Sequence, residues 1–411
     1  MSSPQSYDVL LLGAGPSGLC LAQRLARRGL RVACISATAP VVWPNNYGLW
    51  EDDLPEDARP WIARRWAQPT VRFRQGAPPR PLDRAYVSLD NSAMIQGLSS
   101  GVELLQGWVR EVAREGDGFE VMYQPAQEAS QSLDARMVVD ATGYQSPFTK
   151  YEPSASAPGF QTAYGIKLKP GCAPEGLDLE DEMILMDFAH PRSSKTPTFL
   201  YAMDTPDGLF FEETVLVSRP ACSSTWLQTK LRQRIGDVPD AWIHEREWCW
   251  IPMGGALPRA DQLTLAYGGA ASMVHPATGY HIAQVIKWSE GFADAIAQSV
   301  RSGEPLEARA RACWAALWTP DRRRQRALYC YGMDMLCQST PEQVSAFFEE
   351  FFEQPEAAWR GYMSWSLSPR ELASVMLRMF GSTSLSMKMH LMKPAAGGGF
   401  RDLVRAMGVS L

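Results

Sequence analysis

The 411-residue chain is long enough to form several subdomains, each around its own core. Hydrophobic residues make up 45% of the sequence and charged residues 21%, a balance that excludes an intrinsically disordered protein. The formal net charge of −5 excludes a global basic field for nucleic acid, so we expect no nucleic acid partner.

The cysteines and histidines give no indication of a metal site. The eight cysteines include no CxxC pair, and the five histidines are too dispersed for zinc spacing, so we assign no metal. The N-terminal residues lack the basic and apolar regions of a secretory signal peptide, and no run of about 18 apolar residues predicts a membrane span. These features are typical of a protein in the reducing cytoplasm.

The first 35 residues predict a β-α-β unit. The apolar run at 7–12 is typical of a buried strand, and an amphipathic helix is predicted at 19–28. Gly29 stops this helix, and residues 30–35 form the second predicted strand. Such a unit buries its sheet through a right-handed crossover.

The turn inside this unit has the GxGxxG pattern of a dinucleotide-binding loop. Gly13 permits the tight turn, Gly15 lets a pyrophosphate approach the backbone, and Gly18 allows close packing of helix and strand. The free N–H groups at the start of the helix then bind the phosphates. The expected nucleotide contacts in the turn are Gly13, Ala14, Gly15, Pro16, Ser17 and Gly18.

Two later glycine-rich segments favour FAD over NAD, which the first motif leaves open. Ser36 replaces the acidic residue that usually binds the adenosine ribose, although a hydroxyl can still form that hydrogen bond. The segment VVDATG at 138–143 resembles the second flavoprotein signature. In LAYGGAAS at 265–272, Gly269 stands where flavoproteins carry an Asp that touches the ribityl chain. The alternative is two ordinary glycine turns in an α/β protein. The further expected FAD contacts are Ser36, Val109, Thr142, Gly143, Gly269, Thr278 and Gly279.

The rest of the chain divides into a sheet-rich part and a helical part. Alternating segments at 199–203 and 209–217 predict antiparallel strands, and apolar spacing beyond residue 304 predicts helices. A helix is also predicted at 279–298, with its N-terminus directed at the flavin ring. The fold class is therefore α/β, a Rossmann-like FAD-binding flavoprotein fold with an inserted antiparallel-sheet substrate domain and a helical C-terminal region. We expect a discontinuous dinucleotide-binding domain at 1–160 and 250–303, a substrate domain at 161–249 and a helical region at 304–411.

Five unusual motifs follow in order along the chain. They are WPNNYGLW at 43–50, FFEET at 210–214, MVHPATGY at 273–280, LWTPDRRRQRALYCYGMDML at 317–336 and FFEEFF at 347–352. Together they resemble the lycopene cyclases of plants and cyanobacteria, flavoproteins that close the ends of lycopene. The resemblance covers nearly the whole chain and departs at Ser36, at Gly269 and in YVSLD at 86–90, which lacks the arginine usual in that segment.

The resemblance implies an acid-initiated cyclisation of lycopene or a related linear carotene, with a β ring as product and no net redox change. It also implies reduced FAD as the active cofactor and NADPH as its electron donor. Because the substrate lives in bilayers, we expect a peripheral protein on the cytoplasmic face of a membrane. The methionine-rich stretch at 374–393 is either the membrane surface or part of a helical core. The alternatives are a flavin-dependent monooxygenase, a prenyl or carotenoid reductase of the same fold, and a non-catalytic carotenoid-binding flavoprotein.

Glu212 and Glu213 are the candidate catalytic residues. Neighbours on a strand point to opposite faces, so a core on one face would bury only one of the two carboxyls. The preceding Phe210 and Phe211 predict an apolar setting that raises a carboxyl pKa. The alternative from these residues alone is a solvent-facing acidic pair. The resemblance implies that Glu212 is the essential acid and Glu213 its hydrogen-bonding support.

The remaining motifs supply the candidate substrate contacts. The aromatic residues at 43–50 form either an active-site wall, which would attract developing positive charge, or a core and turn. His275 is a ligand, a base or a histidine with satisfied hydrogen bonds in a turn. The assigned substrate contacts are Trp43, Asn46, Tyr47, Trp50, His275 and Pro276.

Overall fold

The structure is a computed structural model that describes residues 5–38, 41–126, 128–153, 157–177, 179–189, 195–396 and 399–407. Within these residues, 16 strands form three sheets, and there are 11 α-helices. The strands are β1 (Gln5–Leu12), β2 (Val32–Ser36), β3 (Gly48–Trp50), β4 (Ile62–Trp66), β5 (Thr70–Arg72), β6 (Arg80–Pro81), β7 (Tyr86–Leu89), β8 (Glu103–Glu115), β9 (Gly118–Pro125), β10 (Gln131–Asp140), β11 (Gly159–Leu168), β12 (Met183–Asp187), β13 (Phe199–Thr205), β14 (Gly208–Ser218), β15 (Ile243–Met253) and β16 (Leu265–Ala266). The helices are α1 (Pro16–Ala26), α2 (Asn91–Leu98), α3 (Ser224–Ile235), α4 (Ile282–Arg301), α5 (Leu306–Leu317), α6 (Pro320–Cys337), α7 (Pro341–Glu353), α8 (Glu356–Met363), α9 (Pro369–Ser382), α10 (Leu385–Leu391) and α11 (Gly399–Ala406).

The first sheet has the parallel arrangement that the β-α-β pattern predicted. β1 lies between β2 and β10 and is parallel to both, while β8 and β16 extend the sheet on its two sides. Helix α1 begins at Pro16, three residues before the predicted start, because proline suits the first helical position. Its C-terminal loop contains Gly29 with a φ of 76°, which confirms the predicted stop. Cys20 and Cys34 are buried in this core.

The second sheet has seven strands in the order β15-β11-β14-β13-β12-β5-β6. Strands β11 to β15 pair antiparallel with one another, as the alternating pattern predicted. β5 and β6 come from residues 70–81, so this sheet also contains strands from the N-terminal part of the chain. The proposed division into three domains stays a prediction.

The two faces of β14 pack against different surroundings. Phe210 and Leu216 belong to the main core, whereas Phe211 packs in a smaller core with Leu231 and Ile235 of α3. Strand alternation therefore sends Phe210 and Phe211 to opposite sides of the sheet. The same alternation decides where the two glutamates that follow them point.

The chain after residue 304 is helical, as predicted, from α5 to α11. The phenylalanines of FFEEFF lie in α7, where Phe348 and Phe352 pack on Phe188 and Phe73 beneath the second sheet. Among the described residues, none of the helices combines the length and the apolar character that crossing a membrane requires.

Candidate functional site

Three glycine-rich turns meet at one edge of the first sheet. β1, β10 and β16 are parallel and end at this edge, so the turns that follow them are neighbours. A Cβ atom on Gly18 would lie 2.0 Å from the carbonyl oxygen of Gly13, whose φ of 103° suits glycine. A Cβ atom on Gly268 would lie 2.1 Å from Oγ of Ser17. We call residues 13–18, 141–143 and 268–269 together the glycine cradle.

The glycine cradle leaves the start of α1 free for an anion. The N-cap residue Gly15 provides no side-chain hydrogen bond, and the first turn carries no acidic residue. A Cβ atom on Gly15 would meet no other atom within 4 Å, so the space in front of the helix is open. Unpaired N–H groups and the positive end of the helix dipole suit a phosphate, so these residues fit a dinucleotide.

The second turn of the cradle is held by a buried carboxylate. Asp140 accepts hydrogen bonds from the backbone N–H of Thr142 at 3.0 Å, from its hydroxyl at 2.7 Å and from the Thr149 hydroxyl at 2.5 Å. The sequence motif predicts Thr142 and Gly143 as nucleotide contacts, but it does not single out Asp140. Its position at the end of a buried strand was the available signal.

Ser36 and Val109 lie on the other side of β1, on β2 and β8. Ser36 pairs with Gln106 at the end of β2, and its hydroxyl donates to the carbonyl oxygen of Thr38 at 2.9 Å. Val109 lies opposite Tyr123 of β9. Both assignments as cofactor contacts stay predictions.

A cavity of about 480 Å³ lies between the second sheet and the loop that precedes α4. Its volume is in the range of small-molecule sites, and most of its wall is apolar or aromatic. The predicted contacts Thr278 and Gly279 line it, as does Gln161, whose side chain occupies the place where a Cβ atom on Gly279 would lie. The cavity therefore adjoins the segment that sequence analysis assigned to the flavin.

Glu212 is an uncharged acid at neutral pH in this cavity. Its carboxyl lines the cavity, and the residue is half-buried there. Burial, and to a smaller extent the nearby charge of Glu247, raise its pKa from 4.5 to about 8. A hydrogen bond from Thr214 lowers the pKa and so opposes part of this rise. This confirms the predicted direction of the pKa shift. A protonated carboxyl on the wall of a largely apolar cavity can deliver a proton to a substrate.

Glu247 of β15 is the second carboxyl group of the cavity, and sequence analysis did not identify it. It accepts hydrogen bonds from the backbone N–H of Asn46 at 3.1 Å, from both Asn45 and Asn46 side-chain amides, and from the Cys249 thiol at 3.2 Å. The alternation in EREWCW places Glu247 and Cys249 on one face, but only the pairing of strands brings that face to Glu212.

Glu212, Glu247 and Cys249 offer ligand atoms that all lie within 4.8 Å of one another. Glu247 already accepts hydrogen bonds from amide groups of Asn45 and Asn46, which place positively polarised hydrogens beside it. Such donors disfavour a cation at the same oxygen atoms. The assignment of no metal stays a prediction.

Comparison with known proteins now decides the family. The chain matches the family model described as lycopene cyclase protein over residues 8–389. The chain belongs to the lycopene cyclase family. It is 33% identical to the chloroplastic lycopene beta cyclase of Arabidopsis thaliana over 95% of this chain and 81% of that protein. It is 32% identical to the lycopene beta cyclase of Synechococcus elongatus, over 94% and 96% of the two chains. It is also 33% identical to the capsanthin/capsorubin synthase of Citrus sinensis, over 94% and 79%.

Solved structures show that this lycopene cyclase family member has the fold of flavoenzymes. A geranylgeranyl bacteriochlorophyll reductase-like protein from Thermoplasma acidophilum has a TM-score of 0.70 at 15% identity, over 96% of this chain and 99% of that chain. A flavin-dependent brominase has a TM-score of 0.61 at 15% identity, over 91% and 98%. The α/β flavoprotein fold predicted from the sequence is confirmed.

Glu213 does not support Glu212 in this family member, so that expectation is wrong. Strand alternation turns Glu213 to the other face, where Arg234 of α3 binds it through two hydrogen bonds of 2.5 and 2.9 Å. The partner of Glu212 is Thr214, whose hydroxyl donates to it at 2.7 Å. Glu213 thus anchors α3 to the sheet.

The structure separates the four residues assigned from WPNNYGLW. Asn46 and Tyr47 line the cavity. Trp43 donates its indole N–H to the carbonyl oxygen of Ala14 at 3.0 Å and so holds the glycine cradle instead. Trp50 is 1% exposed and packs against Tyr86, and its assignment as a substrate contact stays a prediction. Its position on the short strand β3 buries it in the core.

His275 is a histidine with satisfied hydrogen bonds in a turn, one of the alternatives left open by the sequence. Its Nδ1 accepts from the backbone N–H of Ala277 at 3.1 Å, and its Nε2 lies 3.2 Å from the carbonyl oxygen of Tyr362. Burial lowers its pKa to about 3, so it is neutral. His275 and Pro276 are not among the residues that line the cavity, and their assignment as substrate contacts stays a prediction.

An aromatic group on the cavity wall was not predicted from the sequence. The Tyr201 hydroxyl lies 3.4 Å from that of Tyr86, and Tyr280 faces both. His281 lines the cavity with a buried Nε2 that has no hydrogen-bond partner among the described residues, and burial lowers its pKa to about 4. These residues come from three separate segments, so no single motif identifies them.

Proposed function

We propose that this protein cyclises the linear ends of lycopene to β rings, with Glu212 as the acid and with FAD held in the glycine cradle. The observation that carries the proposal is a protonated carboxyl facing an aromatic cavity next to residues 277–282. Several relatives that bear the name lycopene beta cyclase support the choice of substrate and product.

Ring closure needs an acid but no electrons. An acid protonates the terminal alkene, an internal double bond attacks the resulting tertiary cation, and a proton leaves to form the ring alkene. The atoms of substrate and product are the same, so the reaction is an isomerisation. It requires a dry acid, an environment that stabilises a cation, and a cavity that brings the two alkenes together.

The residues of the cavity meet these requirements. Glu212 supplies the proton at its carboxyl oxygen, and the apolar wall limits the access of water. The π faces of Tyr86 and Tyr201 and the negative charge of Glu247 attract developing positive charge. Asn46 and Tyr47 lie on the wall that would hold the carotene chain.

FAD fits the glycine cradle by shape and by charge. Residues 13–18 would bind the pyrophosphate, with Thr142, Gly143 and Gly269 on the remaining length of the dinucleotide. Bound in its reduced form, FAD would supply negative charge that stabilises the cation. We propose NADPH as the source of the electrons that reduce FAD. The amount of NADPH consumed would not be proportional to the amount of product formed.

We also propose that the protein collects its substrate at a membrane surface through its C-terminal helices. Lycopene is apolar, and this region carries apolar side chains that face solvent alongside Lys388 and Lys393. Met379 and Met387 of the same stretch are buried, so one face of it packs in the core. The exposed apolar residues are Leu377, Leu385, Met389, Met392, Phe400 and Met407.

The test is anaerobic incubation of the purified protein with lycopene in liposomes and chemically reduced FAD, followed by chromatography of the pigments. We expect β-ring carotenes over many turnovers without NADPH. A reductase or monooxygenase would instead oxidise NADPH in step with product, and a carotenoid-binding protein would return lycopene unchanged. Equal conversion with oxidised FAD or without flavin would contradict the cofactor role.

A further inference from the structure

Two carboxyl groups reach the cavity from strands on either side of β11. Gly165 of β11 is paired with Glu212 of β14 on one side and with Glu247 of β15 on the other. Residues in register across an antiparallel sheet point to the same face. Both glutamates therefore project to the cavity from either side of one position.

Gly165 provides no side chain to separate them. A Cβ atom at this position would lie 3.4 Å from Cβ of Glu212 and 2.6 Å from Cζ of Phe210. The carboxylate oxygens of Glu212 and Glu247 approach within 4.8 Å. At such a distance, in a largely apolar cavity, one negative charge disfavours a second.

The hydrogen bonds of Glu247 suit its charged form. Asn45, Asn46 and Cys249 all donate to it, so its two oxygens act as acceptors throughout. A carboxylate with several donors is stabilised as the anion. Glu212, by contrast, accepts one hydrogen bond within the described part of the chain, from Thr214.

The other titratable groups that line the cavity are neutral near pH 7. Burial raises the pKa of Tyr47, Tyr86, Tyr201, Tyr280 and Cys249, and it lowers the pKa of His281 to about 4. Among the described residues on the cavity wall, Glu247 is thus the charged side chain that faces Glu212.

We propose that Glu247 is a positioning residue whose fixed negative charge keeps the proton on Glu212. This inference rests on the proposed function, in which Glu212 is the acid. A proton leaves Glu212 for the terminal alkene, and the two neighbouring carboxylates then favour return of one proton, which the ring-forming cation releases. Glu212 is then protonated again and Glu247 is still negatively charged, as they were before the reaction.

The experiment is a pH titration of the FAD-loaded protein followed by infrared spectroscopy. The band of the protonated Glu212 carboxyl is identified as the one that is absent from the Glu212→Gln variant. In the unaltered protein, we expect this band to disappear around pH 8. Glu247→Gln removes the charge and should move the titration down by about one pH unit or more. The protonated fraction of Glu212 at pH 8 would then fall from about one-half to about one-tenth, with a parallel shift of the basic limb of the cyclisation rate.

Two variants serve as controls. Glu245→Gln removes an acidic charge from the same strand at a residue that pairs with Lys167, and it should leave the titration unchanged. Glu247→Asp keeps the negative charge, so Glu212 should still titrate at a raised pH. If Glu247→Gln does not fold, Cys249→Asp is the alternative variant. It adds a carboxyl close to Glu212 and Glu247 and should raise the pH at which Glu212 titrates.

The outcomes separate the two proposals. A Glu212 band that titrates near pH 4.5 in the unaltered protein would overturn the acid role of Glu212. If Glu212 titrates at a raised pH and this pH stays the same in Glu247→Gln, or in Cys249→Asp, the role of Glu247 is overturned but the acid role of Glu212 is not. The same loss in Glu247→Asp as in Glu247→Gln would show that side-chain length and not charge matters, and would also overturn it.

Discussion

The hydroxyl of Thr214 donates a 2.7 Å hydrogen bond to the carboxyl of Glu212, two residues away on the same face of β14. This bond lowers the pKa of Glu212, while burial and the charge of Glu247 raise it to about 8. We expect cyclisation to fall above about pH 8, as Glu212 loses its proton. Thr214→Val should move this fall to higher pH, measured as initial rate against pH. A shift to lower pH would contradict this balance.

Glu212→Gln should abolish cyclisation and leave FAD binding unchanged, because the amide cannot donate an acidic proton and the glycine cradle is elsewhere. Pigment chromatography and the flavin spectrum measure the two effects. The raised pKa also makes folding less favourable as pH rises from 4.5 to about 8, since the unfolded carboxyl ionises first. Glu212→Gln should remove that part of the pH dependence of unfolding. Near-normal product formation would reject Glu212 as the acid.

Glu213→Gln should reduce stability and spare the chemistry. The ion pair with Arg234 is buried, with side chains 2% and 8% exposed, and loss of one partner from such a pair costs about 3–5 kcal/mol. The free energy of unfolding should fall accordingly in denaturant titrations. The rate per folded molecule should stay close to that of the unaltered protein. A large loss of rate in fully folded protein would restore Glu213 to the catalytic machinery.

Gly15→Ala tests the glycine cradle without disturbing the apoprotein. A methyl group at this residue meets open space, and its φ of −69° suits alanine. The unfolding temperature without FAD should therefore stay unchanged, while FAD affinity falls about tenfold or more because the phosphate approaches this Cα. Gly291→Ala, also open to space but within α4, should change neither affinity nor activity. Unchanged FAD affinity in Gly15→Ala would place the dinucleotide elsewhere.

Membrane attachment should depend on the exposed apolar residues of the C-terminal helices. A variant with Leu385, Met389 and Phe400 changed to serine should float less with liposomes, because each loses apolar area that would enter the bilayer. Truncation is a poorer test, since Asp402 and Val404 of α11 are buried against the core. Leu104→Ser, at an exposed site of the first sheet, is the matched control. Equal flotation of both variants would assign the contact to another surface.

The sequence predicted the first β-α-β unit well because its signals are local. GAGPSG, the strand before it and Gly29 after the helix report on backbone geometry within a few residues. The five ordered motifs likewise identified the family, and one of them contains Glu212, the proposed acid. The sequence could not separate the different surroundings within WPNNYGLW, in which Trp43 holds the glycine cradle, Tyr47 lines the cavity and Trp50 fills the core.

By itself, the sequence determined the flavoprotein fold, the position of its first glycine-rich turn and the alternation that separates Glu212 from Glu213. Only the tertiary structure decided that Glu247, 35 positions further along the chain, lies beside Glu212. The physical reason is that alternation sets the face of a side chain within its own strand, whereas strand order and register set its neighbours. Because β14 and β15 both pair with β11, Glu212 and Glu247 lie on either side of Gly165 and form the carboxyl pair.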